Sequence, residues 1–326
     1  MTRAISTLAA FAATLTASVP ALAQDPMPSE EGLQNAFPQQ ASYSPYANRN
    51  FPTQVFWGDT HLHTGMSMDA GAFGARLMPD DAYQFAKGHE VVSSTGQKVK
   101  LSRPLDWLVV ADHSDNMGFF PRLHAGEPSM LADPTGRRWY DGVQAGGQEA
   151  VAVAVEIVQA ITGNSFPEAV ASLPGSDAYR DAWELTINAA ENADDPGHFT
   201  AFIGYEWTST ESGINLHRVV VYRDNGDKAS VMEPLTTLSP YGSPDPRDLW
   251  KWMQEYEDKT GGTLLAIAHN GNMSNGHMFP ESRTYFDGRV DSEYAATRIR
   301  WEPLYEATQI KGDGEAHPYL SPTDEF

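Results

Sequence analysis

Six apolar runs recur along this chain, and each is tied to side chains that bind metals or move protons. Val55 to Gly58 leads into His61 and His63, and Leu105 to Ala111 leads into Asp112 and His113. Phe199 to Tyr205 leads into Glu206, and Leu264 to Ala268 leads into His269 and Asn270. Leu304 to Ile310 contains Glu306 and Gln309 and leads into Lys311. Helical patterns at Pro79–Lys87, Gln148–Thr162, Asp177–Asn192 and Pro246–Lys259 lie between the runs. Buried strands alternating with helices predict an α/β fold with a parallel sheet. Ligands delivered at the ends of several strands favour a β/α barrel. A doubly wound sheet would gather them at one crevice. His217 departs from the pattern, because it precedes its run Val219–Tyr222. Either that strand runs the other way or its boundary lies elsewhere.

The segment His61-Leu62-His63 is the sharpest of these signals. Residues i and i+2 of a strand point to the same side, so the two imidazoles can serve one ion. Asp69 follows six residues later and can return a third ligand over the site. The chain has no cysteine, which excludes thiolate ligands and disulfides. Histidine with carboxylate suits Zn²⁺, Mn²⁺ or Fe²⁺ better than Ca²⁺.

Arg3, the apolar stretch Leu8–Val19 and the Ala21-Leu22-Ala23 cleavage signal read as a secretory signal peptide over residues 1–23. A periplasmic or secreted protein is expected, with no membrane span in the mature chain. Loss of residues 1–23 removes one basic residue and takes the net charge from −21 to −22. That excess disfavours nucleic acid, whose phosphates need Lys and Arg. A small anionic substrate remains compatible, because bound divalent ions dominate the local field. Residues 24–52, rich in Pro, Gln, Asn and Ser, read as an extended leader before a single domain at 53–326. Residues 115–198 read as a helical insertion or lid.

In order, the motifs are His61-Leu62-His63-Thr64, Asp69, Val110-Ala111-Asp112-His113, Gly204-Tyr205-Glu206-Trp207-Thr208, His217 and Ala268-His269-Asn270. This series resembles the PHP (polymerase and histidinol phosphatase) superfamily, in its exported branch, from about residue 53 onward. The resemblance implies a distorted (β/α)7 barrel holding two or three divalent ions. It implies that His61 and His63 hold the first ion and that Glu206 bridges the first and second. His217 and His269 would complete the second, and Asp69 and His113 would hold the third. Asp112 would orient His113 or support the site. The chemistry implied is hydrolysis, most readily of a phosphoester, by a metal-activated water, with Glu206 and Asp112 as the catalytic carboxylates. Sulfoesters and phosphonate esters suit the same geometry, and a catalytically silent metal-binding module is the reading from another class.

The family ends on a strand carrying Asp-x-His, and nothing after His269 supplies it, so six of seven strands are visible and a C-terminally incomplete sequence is expected. His317 is the alternative stand-in ligand, with Glu306, Gln309, Lys311 and Glu315 near it in sequence. Arg218 is the best cation for a substrate anion, because guanidinium matches phosphate and sulfate bidentately. Asn270 and Asn272 either bind substrate or cap a turn around Gly271. Asp59 is placed to hydrogen-bond an imidazole, and Trp57 and Trp207 to wall the pocket. His124, His198 and His277 have no partner at ligand spacing, and His89 lies in a polar loop.

Overall fold

The computed structural model describes residues 54–162 and 165–314. The expected signal peptide, the leader and the stretch holding Glu315 and His317 lie outside the described residues.

In chain order, β1 (Gly58–Leu62) is followed by α1 (Met68–Ala72), α2 (Pro79–Ala86), the pair β2 (Val91–Val92) and β3 (Lys98–Val99), and β4 (Trp107–Val110). A helical stretch comes next: α3 (Phe119–Ala125), α4 (Pro128–Ala132), α5 (Pro134–Ala145), α6 (Gly147–Thr162) and α7 (Asp177–Ala193). Then come β5 (Thr200–Phe202), β6 (Gly204–Trp207), β7 (Thr210–Glu211), β8 (Ile214–Asn215), β9 (Arg218–Tyr222) and α8 (Gly226–Ala229). The chain continues through α9 (Pro246–Thr260), β10 (Leu264–Ala268), α10 (Ser292–Trp301), β11 (Leu304–Tyr305), β12 (Thr308–Gln309) and β13 (Gly312–Asp313).

Two sheets carry the site. One has the order β1-β4-β5 and is parallel throughout. The other has the order β11-β10-β9-β6, with β9 antiparallel to both of its neighbours and β10 parallel to β11. The fold is thus mixed α/β with several small sheets, and none closes into a barrel. The expected third strand is divided at Ile203: β5 stays with β4, whereas β6 turns to pair with β9. The expected last run likewise splits into β11 and β12, and among the described residues β12 pairs only with β13. The antiparallel course of β9 also explains His217. A strand running against its neighbours brings its N-terminal end to the edge where the others bring their C-terminal ends.

The two sheets meet at the ligand level. His113 and Glu206 form a parallel bridge, Glu206 N–H donates to the Asp112 carbonyl (3.0 Å), and Ser114 N–H donates to the Glu206 carbonyl (2.9 Å).

The helices form where the apolar spacing and the caps agree. In α9 the Asp245 carboxylate accepts from Arg247 N–H, Pro246 occupies the first turn, and Gly261 ends the helix in the left-handed region at φ +60°. Leu249, Trp250, Trp252, Met253 and Tyr256 bury one face of it against the sheet core. The side chains of α7 join that same core through Tyr179, Trp183, Ile187 and Ala190. Residues of α3 to α6 instead share a second apolar cluster around Phe119, Phe120, Trp139 and Ile157. Residues 115–198 carry α3 to α7, and α7 packs into the main core. Among the described residues no helix is long and apolar enough to cross a membrane.

Candidate metal centre

Glu206, near the end of β6, is fully buried, and imidazoles surround its carboxylate. Its Oε1 lies 2.7 Å from His217 Nδ1 and 2.8 Å from His269 Nε2. Its Oε2 lies 2.8 Å from His63 Nε2 and 3.2 Å from His61 Nε2, with His113 Nδ1 at 3.5 Å. Each oxygen therefore faces its own pair of histidines. Asp69 at the start of α1 repeats the motif on a smaller scale, with Oδ1 2.9 Å from His63 Nδ1 and Oδ2 3.3 Å from His113 Nε2. Ser67 Oγ–H donates to the same Asp69 Oδ1 at 2.7 Å.

His61, His63, Asp69, His113, Glu206, His217 and His269 lie together in this cluster. The side chains form four overlapping groups able to hold an ion: His61–His63–Glu206, Glu206–His217–His269, His63–Asp69–His113 and His61–His269–Glu306. The local reasons are simple. His61 and His63 leave β1 on one side; Glu206 is placed opposite Val219 by the β6–β9 register; His269 follows β10 directly, its N–H donating to the His217 carbonyl at 3.3 Å.

The electrostatics fit a centre built for cations. Burial pulls the imidazoles down, but hydrogen bonds to Glu206 and Glu306 lift His61 to about 9, and those to Asp69 and Glu206 lift His63 to about 10. Burial prevails at His217, which falls to about 4, and it also lowers His269. Burial raises Glu206 and Asp69, yet the histidines around them outweigh it and hold both carboxyls well below the usual carboxylate range. Buried carboxylates among several imidazoles are a donor set that could hold divalent ions. The residues present fit Zn²⁺, Mn²⁺ or Fe²⁺.

The other expected residues are placed as follows. Asp112 is buried and accepts from Thr64 N–H (2.5 Å) and Thr64 Oγ–H (2.6 Å), which ties the end of β4 to the exit of β1. Burial raises its pKa. Asp59 accepts from the His61 backbone N–H at 2.8 Å rather than from an imidazole. Arg218 turns away from the centre: alternation along β9 sends it to the opposite face, where its Nε–H donates to Glu302 at 2.9 Å. It is 1% exposed and is not placed to meet a substrate anion. Trp207 is buried on that same face, its ring 5.9 Å from the Arg218 guanidinium, so it does not wall a pocket; Trp57 is exposed. Lys311 is exposed, and its carbonyl accepts from Asn272 Nδ2–H at 3.0 Å.

Asn270 is informative. It takes the left-handed conformation at φ +61°, its side chain caps nothing, and both amide atoms are buried without a partner. A buried amide left unpaired beside a ligand histidine is a group waiting for a partner. Sequence reasoning had missed the hydroxyls behind the rings, namely Thr208 on His113 Nδ1 and Thr210 on His217 Nε2 (2.7 Å). Their signal was present, since Glu206, Thr208 and Thr210 alternate along one strand direction.

The chain matches the family described as "Protein of unknown function (DUF3604)" over residues 50–326, and it belongs to that family. No curated protein and no solved structure matches it.

Proposed function

We propose that this chain is an exported metal-dependent hydrolase of the PHP type, acting on a small anionic phosphoester. The observation that carries the reading is Glu206, buried between two pairs of imidazoles, with Asp69 and His113 forming a further group beside them. On this reading His61, His63 and Glu206 would hold a first ion, Glu206, His217 and His269 would hold a second, and Asp69 and His113 would hold a third. Bound there, divalent ions would activate water for attack and offset charge on the substrate's oxygens.

The chain's own residues do the rest. Glu206 holds the two halves of the centre in register. Thr208 and Thr210 fix the orientation of His113 and His217 by accepting from or donating to the ring nitrogen that faces away from the ligand position. Asp112 holds Thr64, and with it the exit of β1 that carries His63. Asn270 offers an unpaired amide to an oxygen of the substrate. Arg218 takes no part in binding.

The test is metal content and turnover together. The purified protein is expected to hold Zn, Mn or Fe stoichiometrically and to hydrolyse an aryl phosphate monoester or diester. His63→Ala and Glu206→Ala should abolish turnover, with no rescue by added metal. Turnover of an aryl sulfate or an aryl phosphonate in place of the phosphates would move the substrate class and keep the centre. Tight stoichiometric metal with no hydrolysis of any of these esters would make the chain a silent metal-binding module.

A further inference from the structure

Glu306 stands directly behind one of the proposed ligands. Its Oε2 is 2.8 Å from His61 Nδ1, while the other nitrogen of that ring, Nε2, faces Glu206 Oε2 at 3.2 Å. The backbone puts it there. Strand β11 runs parallel to β10 with Tyr305 opposite Ala268, and Glu306 N–H donates to the Ala268 carbonyl at 3.0 Å. Glu306 therefore comes level with His269, whose ring centroid is 4.1 Å from that of His61. Its side chain is 16% exposed, and among the described residues its one ion-pair partner is His61.

A neutral imidazole has one lone pair and one N–H. In His61 the lone pair belongs at Nε2, because that nitrogen shares Glu206 Oε2 with His63 Nε2. The proton then belongs at Nδ1, where Glu306 accepts it. The alternative is an ion held by His61, His269 and Glu306, whose ligand atoms are also close enough to share one ion. Such an ion would need the His61 Nδ1 lone pair and would leave Nε2 protonated against the ligand position shared with His63. One ring cannot serve both ions as a neutral ligand.

We infer that Glu306 is a positioning residue that fixes His61 as its Nδ1–H tautomer, so that Nε2 is presented to the first metal beside His63 and Glu206. The inference rests on the proposed metal centre. It makes the first half of the centre depend on β11, a strand more than 240 residues downstream of β1. A carboxylate behind a ligand histidine both orients the ring and raises its basicity, and its loss costs about 10- to 100-fold in metal affinity.

The experiment is calorimetric titration of the metal-stripped full-length chain with Zn²⁺ and Mn²⁺, for wild type, Glu306→Ala and Glu306→Gln. Thermal melts of the metal-free proteins establish that each variant is folded. Two-dimensional ¹H–¹⁵N spectra of the imidazoles in the Zn²⁺-loaded state report the His61 tautomer. Glu306→Ala is expected to weaken one binding step by about 10- to 100-fold, to leave the others in place, and to lose the Nδ1–H tautomer of His61. Glu306→Gln keeps an oxygen that accepts from Nδ1–H, so it should recover most of the affinity and the wild-type tautomer. Unchanged binding in Glu306→Ala overturns the inference while leaving the metal centre standing. Equal loss in Ala and Gln also overturns it, because then the carboxylate charge acts as a ligand. No metal uptake by the wild type overturns the centre and the inference with it.

Discussion

Arg218→Met separates a structural cation from a substrate-binding one. The guanidinium and the Glu302 carboxylate are 1% and 2% exposed, and they meet at 2.9 Å (Nε to Oε1) and 3.4 Å (Nη2 to Oε2). Arg218 also donates to the Leu216 carbonyl at 2.6 Å. Glu302 has two further donors, Arg298 Nε–H at 3.0 Å and Trp250 Nε1–H at 2.8 Å. Breaking a buried pair from one side costs about 3–5 kcal/mol, because the remaining charge stays buried. The two surviving donors place this loss at the lower end, about 3 kcal/mol. In a chain of this length that corresponds to a fall in Tm of about 4 °C.

The pH dependence supplies a second arm. Burial raises the Glu302 pKa, but the charges of Arg218 and Arg298 outweigh it and hold the carboxyl below its ordinary value. A depressed carboxylate contributes stability that is complete above its unfolded pKa and is lost as pH falls through the folded one. The gap in Tm between Arg218→Met and wild type should therefore be full at neutral pH and should narrow below about pH 4. Differential scanning calorimetry or circular dichroism melts measure both. A variant that melts like the wild type at pH 7 but shows a raised KM for an anionic ester would refute the structural reading and return Arg218 to the substrate.

Three further outcomes follow from the same contacts. Free Zn²⁺ or Mn²⁺ at 100 times its Kd should stabilise the metal-stripped protein by about 2.7 kcal/mol, seen as a rise in Tm; an unchanged melt would remove the metal centre. Because His61 and His63 are lifted to about 9 and 10, loading at pH 7 should release about two protons, read from calorimetric enthalpies in buffers of different ionisation enthalpy. Gly204→Ala should cost about 1–3 kcal/mol and weaken metal binding, since a Cβ there runs into Val109 Cγ1 and meets the Val220 carbonyl oxygen at 2.9 Å, two residues before Glu206; a variant with wild-type stability and affinity would show that β6 has room to shift.

What could be read from the chain followed from local rules. The apolar runs placed the strands, and their ends placed most of the histidine–carboxylate cluster, because a side chain at a strand terminus has little choice of side once the strand is fixed. His61 and His63 needed only the two-residue period. Pairing was not local in the same way. Nothing in Phe199–Tyr205 marks Ile203 as the point where one sheet yields to the next, because that break depends on which neighbour each half finds. Arg218 shows a rule available and left unapplied. If His217 faces the centre, alternation turns residue 218 away from it, whatever the chemistry of guanidinium and phosphate recommends. Glu306 shows the opposite limit. Its residue type, one position past a short apolar run, fits a surface turn equally well; its role depends on the Ala268–Tyr305 register, which brings it level with His269 and against a ring from β1. That register is set by the hydrogen bonding of two strands separated by α10, so a carboxylate acting behind a ligand becomes visible only when both strands are in place.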